Sequence, residues 1–351
     1  MSIKKSISII DYGASTINGT SAEMSYAMNQ ANQKFFRKHE IITDFYDNPI
    51  TIGKAGYIDE NAEFIERFIT LGKNALQDTV KSLDPKKINK IKMLVGLPEK
   101  REGIPQDLEE GLKPVFEDIL KKFTDYPEIR FFYGGHAVVT KLIEGSLKFM
   151  KENTICIVGG IDSYQTFDML SEMRNEEKLL SVGNKYGIIA SEGAGFITLA
   201  SPENAKRMEQ IPHAEILNAD TKEEKEDFSK GWALTKTMKE VFEKMPKKIK
   251  CNRILFDLIK RESSLEFGCS FIRMPKMFSD DKTIFRLPGS IGDVGTATIP
   301  LLITHALEEA RWGDESERFP VIISVSDPKE KASILLELKR FNEVESYRGD
   351  L

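Results

Sequence analysis

The sequence predicts an α/β protein built in layers, on two observations. Short β-branched runs alternate along the chain with longer segments of helical periodicity. The composition, 40% hydrophobic and 30% charged over 351 residues, is that of a globular chain with a sizeable core. That length allows two ordinary domains or one large domain made of two halves.

The elements follow in chain order. "SISIID" (Ser6–Asp11) reads as the first strand, and "IDENAEFIERFITLGKNALQDTVKSL" as an amphipathic helix. Strands are expected at Ile91–Val95, Ile129–Tyr133, Thr154–Val158 and Gly195–Ala200. A helix falls in "GHAVVTKLIEGSLKFMKEN", where Val138, Leu142, Ile143, Ser146, Leu147 and Met150 share one face. Further strands are expected at Arg253–Asp257 and Val321–Val325. Ala332–Leu338 fits strand or helix, because a short apolar run does not decide between them. Charge-rich "ADTKEEKEDFSK" (Ala219–Lys230) reads as a solvated loop or helix start, and as a plausible joint between halves.

Composition excludes several functional classes. A formal net charge of −5 exerts no global pull toward nucleic acid or anionic lipid. No apolar segment nears the roughly 20 residues that cross a bilayer, and Ile7–Ile10 is too short for a signal core. Cys156, Cys251 and Cys269 are too widely spaced for a disulfide scaffold or a metal knuckle. A reduced, cytoplasmic protein without metal or cofactor is expected. The glycines of "GSIGDVG" fit neither a dinucleotide fingerprint nor a P-loop.

Three segments carry more information together: "CIVGGIDSY" (Cys156–Tyr164), "ASEGAGFITLAS" (Ala190–Ser201) and "RLPGSIGDVGTATIPLLITHAL" (Arg286–Leu307). In order and spacing they resemble the β-ketoacyl synthases of the thiolase-like superfamily. "IIDYGASTINGTSAEMSYAMNQANQKF" resembles the opening of those enzymes, and "PVIISVSDPKEKASILLEL" their last strand pair. The resemblance implies a thiolase-like fold of two equivalent halves, stacked as α-β-α-β-α layers, with residues 1–203 in one half and 204–351 in the other. It also implies apolar central helices in "GTATIPLLITHAL" and "GHAVVTKLIEGSL". The echo between "SIIDYGASTINGTS" and "ILFDLIKRESSLEF" would then be the repeat between halves.

The catalytic residues of that family do not carry over. Its nucleophilic cysteine falls on Gly134, or on Gly135 or His136 by alternative alignment, and none of these is cysteine. Cys156 lies in a strand and reads as core. The first active-site histidine has no counterpart in "DLIKRESS", the second falls on Asp293, and the usual lysine falls on Pro288. The final glycine-rich loop is replaced by "SVSDPKEKAS". The resemblance therefore implies a ketosynthase-like protein without the catalytic Cys and His residues, acting as a binding or assembly factor. A further likeness to short ketosynthase-like proteins of bacterial type VI secretion points to a secretion effector as one partner. Altered acyl-transfer or hydrolytic chemistry, or simple binding of an acyl or pantetheine group, stays open beside it.

Gly134, Gly135, His136, Gly292, Asp293 and Gly295 are the positions of the vestigial pocket. His136 is a ligand or base there, or a helix-capping or surface residue. Asp293 pairs with it as a base, or serves only as an acid at a helix start. Asp162 and Glu192 lie on motifs kept for structural reasons. Asp257, ahead of Lys260, Arg261 and Glu262, reads as part of a solvated charge run. His305 reads as a satisfied helix histidine, with His39 and His213 at the surface. Val138, Val294 and Ile299 are expected to close the pocket. A homodimer is expected through Ile129–Tyr133, the strand that pairs across a twofold axis in the family; Phe131, Phe132 and Tyr133 would otherwise leave an aggregation-prone edge.

Overall fold

The computed structural model describes residues 6–101, 103–105, 107–150, 154–224, 231–243, 245, 250–257, 261–313 and 320–339. In chain order these form β1 (Ile7–Thr16), α1 (Ala22–Gln30), β2 (Phe36–Thr43), β3 (Pro49–Gly53), α2 (Phe64–Val80), β4 (Lys90–Pro98), α3 (Leu108–Leu120) and β5 (Glu128–Gly134). Then come α4 (Val138–Ser146), β6 (Thr154–Ser163), α5 (Phe167–Asn175), β7 (Glu192–Ala200), α6 (Pro202–Arg207), β8 (Ala214–Glu223), α7 (Trp232–Phe242) and β9 (Cys251–Phe256). The chain continues with α8 (Arg261–Arg273), β10 (Phe278–Arg286), α9 (Pro288–Ile291), α10 (Thr298–Trp312), β11 (Pro320–Ser326) and β12 (Glu330–Leu338).

Ten strands run in the order β10-β9-β11-β12-β8-β1-β7-β6-β4-β5, and β2 and β3 form a separate hairpin. The order contains a repeat. β5-β4-β6-β7-β1 and β10-β9-β11-β12-β8 each show two parallel joins followed by two antiparallel ones. Among the described residues, strand pairing joins the two sets only where Ile7, Ser8 and Ile9 of β1 pair with Ile216, Glu215 and Ala214 of β8. By this order the counterpart of β1 is β8 and that of β9 is β4. The strand-Asp echo between β1 and β9 is therefore not the repeat.

Helices complete the layers. α2 lies on β1, β6 and β7, with α3 beside it, while α7 lies on β8 and β12, with α8 beside it. Between the sheets sit the helices that follow β5 and β10. α4 packs on β4 and β6 of one set and on β8 and β12 of the other. α10 packs on β1, β6 and β7 as well as on β9 and β11. Covered from both sides, α10 is buried at every residue from Thr298 to Glu308. α4 is less enclosed, since its Lys141 is exposed and pairs with Glu330. The expected α-β-α-β-α stack is thus the observed one.

Ala219–Glu223 corrects an expectation: it is not a solvated loop but the end of β8, paired with Glu330–Ile334 of β12. Residues 225–230 of that stretch lie outside the described residues. Asn218 and Asp220 look solvent-bound in sequence yet are buried. Asn218 finds backbone partners in Glu240 O and Ala219 N, and Asp220 pairs with Lys222. Ala332–Leu338 is strand, lying within β12.

Candidate functional site

The parallel strands of the two halves deliver their carboxyl ends to one place, where α/β sheets characteristically offer a crevice. Arg101 follows β4, His136 follows β5, and Asp162 and Ser163 end β6. Asp257 follows β9, Asp293 precedes α10, and Ser326 and Asp327 follow the core of β11. A cavity of about 340 Å³ opens here, lined among others by Gly134, Gly135, His136, Asp293, Gly295 and Asp327.

His136 and Asp293 converge. Nε2 of the imidazole lies 2.8 Å from Asp293 Oδ1, which also accepts the Gly295 amide at 2.9 Å. The acid therefore both pairs with the ring and serves the turn leading into α10. A third residue completes the arrangement. Asp327 Oδ2 lies 3.3 Å from His136 Nδ1 and accepts the His136 amide at 3.2 Å. Gly135 makes room for it, since a Cβ there would stand 2.1 Å from Asp327 Oδ2.

Electrostatics follow from this geometry. Burial alone would lower the His136 pKa, but the Asp293 charge and hydrogen bond, then those of Asp327, hold it well above its ordinary value. Burial would raise Asp293, yet the facing imidazolium holds it below the carboxylate range. Asp327, also opposed by burial, is brought to about 2. At neutral pH the ring is thus an imidazolium that donates one proton to each neighbour. No lone pair is left to accept a proton, so the group is not a general base in this state.

Asp162 faces the same cavity. It receives the Arg101 guanidinium and the amides of Ser163 at 2.8 Å and Thr296 at 3.1 Å. Gly295 has φ 48°, and a Cβ on it would meet Asp162 Oδ2 at 1.8 Å, so glycine is needed for both reasons. Glu192 is structural: fully buried, it pairs with Arg67 and accepts Ala55 N at 2.7 Å and Ser163 Oγ at 3.0 Å.

Several expectations are corrected. Val138, Val294 and Ile299 are buried in the core between the sheets and do not line or close the cavity. Gly292 is not a lining residue. Its φ of 80° makes the turn, and its backbone sits close to Ile189 and Ser191. Asp257 is not solvated but buried, with both oxygens accepting Ser326 N at 3.0 Å. Burial, opposed by the His136 charge, lifts its pKa to about 7. Lys260 lies outside the described residues. His305 stacks on Phe285 with centroids 3.6 Å apart, and burial pushes its pKa down to about 3. His39 and His213 are half-buried rather than fully at the surface.

Sequence reasoning missed Asp327 and Arg101. Asp327 was hidden in a segment that reads only as a lost glycine loop, 191 residues from its partner. No cysteine lines the cavity among the described residues; Cys156 and Cys251 are buried in β6 and β9, where burial raises each thiol to about 12. No group of histidine, cysteine and acidic side chains there could hold a metal ion, and no helix is long and apolar enough to cross a membrane, again among the described residues.

No protein-family model matches the sequence, and no curated protein matches it. Solved structures do match. The ishigamide ketosynthase/chain length factor is 15% identical with a TM-score of 0.70, covering 95% of this chain and 99% of its own. The type II polyketide ketosynthase AntDE, in complex with its acyl-carrier protein AntF, is 11% identical with a TM-score of 0.78, covering 95% and 100%. The ketosynthase from module 6 of the bacillaene synthase of Bacillus subtilis 168 is 13% identical with a TM-score of 0.73, covering 96% and 72%. With the repeated strand order and the central helices already described, these likenesses give the chain the thiolase-like fold of the ketosynthases.

Proposed function

We propose that the protein is a non-catalytic member of this fold, serving as a binding or assembly factor. The observation that carries the reading is the double engagement of His136, with a carboxylate on each ring nitrogen and no thiol lining the cavity among the described residues. A condensing enzyme of this kind needs a thiolate nucleophile. In this reading Gly134, Gly135, His136, Asp293 and Gly295 line a pocket that binds without turning over. The vestigial site then joins the two halves, because His136 belongs to the first while Asp293 and Asp327 belong to the second.

Among the described residues β5 is the last strand at its end of the sheet, with Phe132 and Tyr133 exposed. An unpaired edge of this kind supports a homodimer in which Ile129–Tyr133 pairs with its copy. A protein partner fits an assembly role, with a secretion effector in a bacterial cytoplasm as the candidate. Acyl-carrier protein, the partner in one structurally similar ketosynthase, is the other.

Intact-protein mass spectrometry after incubation with an acyl-thioester tests the reading. The expected result is unmodified protein and no thioester consumption above buffer. A stable acyl adduct on any cysteine, with turnover, overturns it. Acyl hydrolysis by His136 and Asp293, with the ring deprotonated above its raised folded-state pKa, is the second reading, favoured by their 2.8 Å contact beside an open cavity. Thioester hydrolysis that disappears in His136→Ala would establish it.

A further inference from the structure

A second cavity, of about 380 Å³, opens between the β2–β3 hairpin and the start of α5. It shares no lining residue with the vestigial pocket. Its lining is net positive, with Arg37, Lys38 and Lys54 against the two carboxylates of Glu40 and Glu60. Two of those cations meet only neutral acceptors among the described residues. Lys54 Nζ donates to Glu60 O at 3.2 Å, and Lys38 Nζ to Thr51 Oγ1 at 2.9 Å and Pro49 O at 3.4 Å. Arg37 Nη1 donates to Glu60 Oε1 at 2.5 Å, but both side chains are exposed, so solvent screens that pair.

His39 stands among these groups. Its Nδ1 accepts the Ile41 and Ile42 amides at 3.1 Å and 2.9 Å, which leaves the proton of a neutral ring on Nε2. Burial, then the Lys54 and Arg37 charges, lower the His39 pKa against the pull of Glu40. Burial, then Arg67 and Arg37, lower that of Lys54 against Glu192 and Glu60. An anion entering here meets an excess of positive charge, and His39 adds to it by taking up a proton.

A dianion suits that balance. The lining carries one net positive charge, and a protonated His39 supplies the second. Lysine serves phosphate well, as a compact point charge. The same cavity also has an apolar side. Phe167 and Ile41 are 59% and 73% exposed there, beside the buried Ile52 and Leu170. Large apolar side chains left in water next to cations match a ligand that is apolar behind its charge.

We infer that this cavity binds a small phosphate monoester, with its phosphate on Lys54, Arg37 and His39 and a short apolar body against Phe167 and Ile41. The inference stands apart from the non-catalytic reading of the vestigial pocket and goes beyond it.

Calorimetric titration of the full chain with phenyl phosphate, inorganic phosphate, benzoate and phenol tests it. Saturable phenyl phosphate binding is expected, at least about tenfold tighter than any of the other three, and weakened at least about tenfold in Lys54→Gln. Because Lys54 is half-buried, the exposed Arg37 supplies a second variant, and Arg37→Gln is expected to weaken binding about threefold. Saturating phenyl phosphate is also expected to move the His39 ring titration to higher pH, read by NMR. No saturable binding, equal affinity for inorganic phosphate, benzoate or phenol, undiminished affinity in either variant, or an unmoved His39 titration overturns the proposal. None of those outcomes touches the non-catalytic reading, which thioester turnover alone would remove.

Discussion

His136 is held by two carboxylates from separate loops, and their removal has separable effects. Asp327→Asn is expected to move the imidazole pKa down toward its ordinary value, read by NMR titration of the ring protons. An unchanged titration would show that Asp293 alone sets it. Gly135→Ala is expected to act on the same contact through crowding. Its methyl displaces the Asp327 carboxylate, with a cost of about 1–3 kcal/mol in denaturant melts and the same downward shift of His136. The sign of the pH dependence follows from the shifts. His136 is raised above 6.5, so its contribution is full below that pH and fades as pH climbs through the folded-state value. Asp327 is depressed from 3.8 to about 2, so its contribution is full above 3.8 and lost as pH falls through about 2. The stability difference between the native protein and Asp327→Asn should therefore be greatest between the two ordinary values and shrink on either side. His136 and Asp293 could be paired from sequence, because each stands just ahead of a helix expected at the centre. Asp327 could not, since no local pattern ties a turn after β11 to a glycine before α4.

Among elements, the ones read correctly from sequence are those whose burial matches their composition. β4, β6, β7 and β11 are apolar runs inside the sheet and were expected. β8 and β10 were not. β8 hides Asn218 and Asp220 by giving them partners, and β10 is an edge strand carrying Asp280 and Asp281 beside a break in its register with β9. The β2–β3 hairpin is largely solvated along "FRKHE", so alternation never becomes visible there. One cross-element tie is expected to matter strongly. Arg67 of α2 and Glu192 of β7 form a buried ion pair that fastens the outer helix to the sheet. Arg67→Ala leaves that carboxylate uncompensated, and a loss of roughly 3–5 kcal/mol is expected in chemical denaturation. A loss near zero would mean the carboxylate finds water instead.

At the scale of the molecule, the repeated strand order explains why the motifs near residues 160, 192 and 293 converge although they lie far apart in the chain. The fold was legible because three motifs kept their order. Which segments are equivalent was not legible, since topology alone matches β1 with β8. Dimer formation through β5 is checked at this scale by light scattering at micromolar concentration. The native chain is expected at twice its monomer mass, and Phe132→Lys at the monomer mass. A monomeric native chain would count against the edge-pairing proposal.

The slender join between β1 and β8, set against two helices wedged between the sheets, bears on how the chain melts. Each half lends its sheet to the other's central helix, so neither half alone can keep α4 or α10 from water. Folding should then be all-or-none, despite a length at which chains commonly separate into independently melting parts. A single calorimetric transition is expected, with the van't Hoff enthalpy equal to the calorimetric one. A fragment ending near residue 207 should stay unfolded by itself and gain structure only when the remainder is added. Two resolved transitions would show that the halves hold together less tightly than their shared helices require.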